Sequence, residues 1–109
     1  MNRSQRREWC DALSSKLHEL WFSVDDLAIN SKTHELVLPL RASARECPVT
    51  KLVVPSARDL DIKDTERIVY YDIKRIEIDD DERHLLLYGN IPICVSILAD
   101  KLYLSYIHA

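Results

Sequence analysis

The sequence predicts an α+β fold in which an N-terminal amphipathic helix packs on a bent antiparallel sheet of about six or seven strands. Two observations lead to this prediction. Apolar residues recur at intervals of three and four near the N-terminus, and from about residue 26 they recur at intervals of two, in short segments separated by turn residues. A partly closed barrel is the alternative arrangement of the same strands. All 109 residues are expected to form a single domain.

The composition is that of a folded globular chain. It is 47% hydrophobic and 30% charged, and 15 basic against 18 acidic residues give a formal charge of −3. A chain of this size hides roughly two-thirds of the surface that its unfolded form exposes, which is enough for a hydrophobic core. Gly89 is the single glycine. The sequence therefore excludes phosphate-binding loops that need several glycines.

The helix is predicted from about residue 4 to residue 22. Its apolar positions are spaced by 4, 4, 3, 1 and 3 residues, which places them on one stripe. Asn2 or Ser4 can cap the first turn by accepting a hydrogen bond from a free backbone N–H. The stripe is formed by Trp9, Leu13, Leu17, Leu20, Trp21 and Val24.

Three arginines stand at the start of this helix. Arg3, Arg6 and Arg7 share one helical face, because residues three and four apart are neighbours on a helix. Exposed cations near a helix N-terminus oppose the helix dipole by about 0.3 to 1 kcal/mol each. Either the first turn frays, or the arginines meet an acidic partner such as residues 59–82 of a neighbouring copy.

The alternating pattern begins with a hairpin. Leu27 and Ile29 start it, and it resumes over residues 36–41 after the turn-forming residues 30–33. Pro39 lacks the N–H that a central strand would donate. We therefore expect its strand to lie at an edge of the sheet.

The middle of the chain predicts two strands separated by a long polar connection. Residues 42–48 form a loop, residues 52–54 form a short strand, and residues 56–66 form a solvated connection. Residues 68–78 are rich in β-branched and aromatic side chains, and their apolar positions change parity part-way. A bulge or bend at residues 72–75 would account for that change.

The C-terminal segment is the most hydrophobic part of the chain. From residue 84 onward, 17 of 26 residues are apolar and only Asp100 and Lys101 are charged. Consecutive antiparallel strands are expected at residues 85–88, 91–98 and 102–107. We favour a strand over a helix for the last segment because of its aromatic and branched content.

Both faces of these strands lack charge, and this predicts an interaction surface. One helix of about 19 residues covers only one face of a small sheet. The second face must curl into a barrel, take the terminal segment as a lid, or meet another subunit. We expect a non-enzymatic interaction or accessory module that self-associates through its C-terminal strands, with another protein as a further partner. The predicted interface residues are Ile93, Val95, Leu102, Tyr103 and Tyr106.

No catalytic or metal-binding motif is complete, which favours a non-enzymatic protein without cofactor or metal. His18 and His34 each begin the zinc-protease pattern HExxH, but the second histidine is missing. The acidic run at residues 79–82 lacks the spacing of a calcium loop and predicts a hydrated turn. The alternative function is a small-ligand-binding protein or hydrolase with a pocket between helix and sheet, lined by His84, Tyr70 and Tyr88.

Cysteines and charge indicate where the protein works. Cys10, Cys47 and Cys94 lie 37 and 47 residues apart, a spacing that fits neither a disulfide framework nor a zinc site. No signal peptide is evident, and the longest uncharged stretch of 16 residues is short of the roughly 20 that span a bilayer. Residues 59–82 hold ten acids and four bases, which would repel a nucleic acid. We expect a cytoplasmic protein that contacts neither membrane nor nucleic acid.

Overall fold

The structure is a computed structural model that describes residues 2–43, 49–62, 68–99 and 101–108, without the side chain of His108. The predicted α+β class is confirmed, with one helix and nine strands in these residues. The elements are α1 (Arg3–Leu17), β1 (Trp21–Ser23), a 3-10 turn (Val24–Asp26), β2 (Leu36–Pro39), β3 (Val49–Val54), β4 (Ala57–Ile62), β5 (Tyr70–Asp72), β6 (Arg75–Ile78), β7 (His84–Tyr88), β8 (Ile93–Ile97) and β9 (Ser105–His108).

The strands are distributed over three antiparallel sheets. Their orders are β1-β5, β2-β3-β9 and β4-β8-β7-β6. Within the described ranges these are separate sheets and not a closed barrel. The sequence predicts that the three C-terminal strands are consecutive neighbours in one sheet. Strands β7 and β8 do pair, but the last strand, β9, pairs with β3 in another sheet.

Helix α1 begins where its cap predicts and ends earlier than its apolar stripe predicts. The Asn2 side chain accepts a hydrogen bond from the backbone N–H of Gln5, and the Gln5 side chain accepts one from the N–H of Asn2, which forms a capping box. The helix stops at Leu17, because Glu19 takes a left-handed conformation with φ of 64°. Trp21 then opens β1.

The helix covers one edge of the four-stranded sheet. The Ser14 hydroxyl donates to the carbonyl of Ile76 at 3.2 Å and accepts from its N–H at 3.0 Å, so a helix side chain bonds the outer backbone of β6. Cys10 lies one turn earlier beside Ile78. Burial raises the pKa of the Cys10 thiol, and the backbone N–H of Ile78 acts in the opposite direction. The helix therefore closes the edge of β6.

A single core lies between the helix and the sheets. Tyr71 and Phe22 are its largest fully buried side chains, and their rings stack at 5.1 Å. The Tyr71 hydroxyl donates to the carbonyl of Ile91 at 2.5 Å, and burial raises its pKa. A Cβ at Gly89 would overlap the Asp72 carbonyl and the Tyr71 ring, which explains a glycine at this position.

Two further predictions met different outcomes. The bend predicted at residues 72–75 is confirmed, because β5 ends at Asp72 and β6 begins at Arg75. The polar connection predicted from residue 56 is instead strand β4 up to Ile62, with a bulge between Ala57 and Asp59. Residues 63–67 of that connection, residues 44–48 of the predicted loop, Cys47 and Asp100 lie outside the described residues.

Candidate functional site

The predicted interface residues fall into two groups. Ile93 is 1% exposed, and Val95 and Leu102 are also buried in the core of the chain. Tyr103 is 76% exposed, and Tyr106 is half-buried. Of the residues predicted to form an interface, the two tyrosines are the ones that reach the surface.

Strand β9 forms one of the two edges of the three-stranded sheet, and β2 forms the other. In the part of the chain that the structure describes, it pairs with β3 alone. Exposure alternates along this segment: Tyr103, Ser105 and Ile107 are exposed, and Leu102 and Leu104 are buried. We call β9 together with Tyr103 the β9 surface. Its exposed positions share one face and carry no charge.

The other edges of the two larger sheets, β2, β4 and β6, carry protection against pairing with another chain. Strand β4 bears Arg58, Asp59 and Asp61 at exposed positions, β2 contains Pro39, and β6 is covered by α1 through Ser14. Charges, prolines and covering elements are the features by which edge strands avoid pairing with other molecules. The sequence of β9 contains no charged residue and no proline. This strand is therefore suited to pair with another strand.

A second feature is an oriented imidazole on β7. The Nδ1 atom of His84 lies 2.7 Å from one carboxylate oxygen of Asp79, and the other oxygen accepts from the backbone N–H groups of Arg83 and His84. Partial burial acts to raise the pKa of Asp79, but these hydrogen bonds outweigh it and lower the pKa below its ordinary value. His84 lines a depression of about 450 Å³.

Ser96 is the strand partner of His84 and lines the same depression. A serine, a histidine and an aspartate are the residue types of a hydrolytic triad. No hydrogen bond links Ser96 to His84 in the described structure, and the described residues contain no cluster of three metal ligands. The hydrolase alternative therefore stays a prediction.

The three predicted pocket residues lie in different places. Tyr70 is exposed on β5, where its ring meets Trp21 edge-on at 5.0 Å. Tyr88 lies under the guanidinium of Arg75, at 4.6 Å, and lines a depression of about 140 Å³. His84 lies at the other end of β7 from Tyr88. His84 and Tyr88 therefore line different depressions, and Tyr70 lines neither of them.

A cleft lies between helix α1 and strand β6, and its lining contains none of the three predicted pocket residues. It has a volume of about 300 Å³. Arg3, Arg6 and Arg7 reach it from α1, and Arg75 reaches it from β6. The shared helical face of the first three was visible in the sequence. Nothing in the sequence near Arg75 indicated that it would join them, because folding brings the residue there.

Comparisons with protein-family models, with curated proteins and with solved structures found no match to this chain. Among the described residues, no helix has both the length and the apolar character needed to cross a membrane. Function is therefore inferred from the geometry of the chain itself.

Proposed function

We propose that this protein is a non-enzymatic interaction module that self-associates through the β9 surface. The observation that supports the proposal is the contrast between sheet edges. Strand β9 is an edge without charge or proline, whereas the edges formed by β2, β4 and β6 carry proline, charge or a helix. An unprotected edge offers its backbone groups to a further strand.

A second copy of the chain fits this edge by symmetry. Two copies related by a twofold axis can pair this segment antiparallel. A register centred on Ser105, the first residue of β9, sets Tyr103 of each copy, which precedes β9, opposite Ile107 of the other. Aromatic and β-branched residues are favourable cross-strand partners. The small Ser105 side chain would lie on the axis, where identical side chains meet. A twofold interface needs such a self-complementary surface.

Charge also favours a second copy. Each copy brings only uncharged residues between Leu102 and His108, so no like charges oppose one another when identical strands meet. The two three-stranded sheets would join into one sheet of six strands, with β9 and its copy at the centre. The exposed Tyr103 of each copy would then contact Ile107 of the other copy on the same face of that sheet.

The expected dimer is weak. Cross-strand pairs contribute about 0.2 to 1 kcal/mol each, and backbone hydrogen bonds contribute about 0.5 to 1.5 kcal/mol each. Association costs about 4 kcal/mol or more in lost freedom of motion. A pairing between strands of four residues therefore leaves a small net gain. The dimer should dissociate on dilution.

Light scattering over a range of protein concentrations tests the proposal. The native chain should approach twice its mass of 12.7 kDa as concentration rises. Ser105→Lys should stay monomeric and folded, because it places two ammonium groups face to face at an exposed position. The matched control is Val69→Lys, which adds the same charge at another exposed position and should still dimerise.

Two results would contradict the proposal. One is a native chain that keeps the mass of a single copy at millimolar concentration. The other is a loss of association in Val69→Lys equal to that in Ser105→Lys, which would show that net charge and not β9 pairing controls self-association.

A further inference from the structure

Four arginines line the cleft between α1 and β6. Arg3, Arg6 and Arg7 come from the first two turns of the helix, and Arg75 comes from the start of the strand. The cleft has a volume of about 300 Å³ and opens to solvent. The cleft joins two segments that lie about seventy residues apart in the sequence.

Arg6 is a largely buried arginine in the lining of the cleft. The residue is 8% exposed, and its Nη2 atom donates to Asp80 at 2.7 Å. The Asp80 side chain is 79% exposed and therefore stays largely hydrated. A guanidinium has five N–H donors, and a buried cation is costly unless its donors are satisfied. The hydrogen bond to Asp80 uses only a part of that capacity. Since no buried side-chain nitrogen in the described residues lacks a partner, the other donors of Arg6 remain accessible to solvent.

The neighbouring arginines are unfavourable for the stability of the folded protein. Arg3 and Arg7 have neither a hydrogen bond nor an ion pair with side chains in the described ranges. They lie four residues apart on one face, where like charges repel, and the first turn of α1 contains no acidic residue. The positive end of the helix dipole adds to this repulsion. An anion in the cleft would give both arginines a partner, reduce the repulsion between them and offset the positive end of the helix dipole.

Arg75 makes two contacts that orient its guanidinium group. It pairs with Glu77 at 3.3 Å and lies over the ring of Tyr88 at 4.6 Å. A guanidinium that is oriented in advance loses little side-chain freedom when it binds an anion. The cleft thus combines one oriented arginine, one buried arginine and two arginines without a partner among the described side chains.

We infer that this cleft binds a small phosphate-bearing molecule. The oxygens of a phosphate group can accept from several guanidinium groups at once, and arginine is the residue best suited to this geometry. The cleft also contains the carboxylates of Asp11, Glu77 and Asp80, so its formal charge is 4 − 3 = +1. That balance disfavours an extended polyanion such as a nucleic acid. A compact ligand is therefore favoured.

Isothermal titration with inorganic pyrophosphate as the probe tests this inference on the full chain. The titration is performed at fixed ionic strength, with sodium chloride replacing the probe in the reference. The native protein should bind one pyrophosphate, and its melting temperature should rise with probe concentration because the ligand stabilises the folded state. The double variant Arg3→Gln/Arg7→Gln should bind about 100-fold more weakly, because each of the two arginines is expected to contribute about tenfold through a charge-assisted hydrogen bond.

The control variant is Arg58→Gln/Arg83→Gln, which removes two exposed arginines from the depression beside His84. It should bind pyrophosphate as the native chain does. Without the probe, Arg3→Gln/Arg7→Gln should melt no lower than the native chain, because neither arginine has a hydrogen bond or ion pair with a described side chain and the two repel each other. This second readout separates a lost site from a lost fold.

Three outcomes would overturn the inference. The first is no heat and no melting shift with pyrophosphate. The second is equal weakening in the two double variants, which would indicate a nonspecific ionic effect. The third is tighter binding of a single-stranded oligonucleotide than of pyrophosphate, since that would make the cleft part of a nucleic-acid surface.

Discussion

Asp79 holds the turn between β6 and β7 through three hydrogen bonds. One carboxylate oxygen accepts from two backbone N–H groups, and the other contacts the imidazole of His84. The run of acidic residues at 79–82 predicts a hydrated turn, and this prediction is wrong for Asp79. Composition alone gives no means to distinguish Asp79 from Asp81, since only the folded turn directs N–H groups at one of them.

Asp79→Ala should lower the free energy of unfolding by about 1 to 3 kcal/mol at neutral pH, because two backbone N–H groups and an imidazole lose their acceptor. Asp81→Ala is the matched control in the same turn. Asp81 is exposed, so its replacement should change stability by less than about 0.5 kcal/mol. Urea unfolding measures both, and equal effects would contradict a specific role for Asp79.

The same carboxylate should make stability depend on pH. Its pKa in the folded state lies below the ordinary value of 3.8, so the ionised form is favoured by folding. The stabilisation is complete above about pH 4 and is lost as the pH falls through the lower folded pKa. The difference in unfolding free energy between the native chain and Asp79→Ala should therefore shrink below about pH 4. A difference that stays constant to about pH 2 would contradict this assignment.

At the scale of elements, helix α1 closes a sheet edge as well as covering the core. The apolar stripe predicted its buried face, because Leu13 and Leu17 are buried as expected. The stripe did not predict where the helix ends, because Leu20 and Trp21 continue the helical spacing by coincidence. Leu20 lies just before β1, and Trp21 is the first residue of that strand. A left-handed Glu19 leaves little signal in the sequence, since glycine or asparagine is the usual residue for that conformation.

Ser14→Ala tests the closure of the β6 edge. The change leaves the buried N–H of Ile76 without its acceptor and should cost about 1 to 3 kcal/mol in urea unfolding. Ser15→Ala is the control, since the exposed Ser15 hydroxyl donates only to the carbonyl of Asp11 in its own helix. Alanine favours helices, so the control should be neutral or slightly stabilising. Equal stability of the two variants would mean that Ser14 does not bond the edge.

Strand β4 shows why some elements escape prediction. Its exposed Arg58, Asp59 and Asp61 are typical of a polar connection, and the bulge after Ala57 breaks the alternation that marks a strand. The charges that hide the strand in the sequence are the same charges that protect it as an edge in the structure. Edge strands are therefore harder to recognise than the buried β7 and β8, which were expected from their hydrophobicity.

At the scale of the whole molecule, three small sheets and one helix share a single core. The C-terminal segment is the most hydrophobic part of the sequence, and it contributes Leu85, Leu87 and Val95 to that core, although Val95 was predicted to lie at an interface. Which of their faces is covered depends on long-range pairing. The segment after residue 101 leaves β8 to join β3, and this step exposes Tyr103 while it buries Leu104. The arginine cleft likewise depends on α1 lying against β6.

Ile93→Lys and Ile107→Lys separate the core from the proposed interface. Ile93 is 1% exposed and lies between Ile62 and Leu87 in the register of the four-stranded sheet, so a lysine there would bury an unpaired charge. We expect this variant to lose its folded circular dichroism spectrum, because native domains have only about 5 to 15 kcal/mol of stability. Ile107 is 52% exposed, and Ile107→Lys should fold normally but fail to self-associate in light scattering. A folded, monomeric Ile93→Lys would instead mean that the face of β8 bearing Ile93 meets another molecule, and that the core does not enclose it.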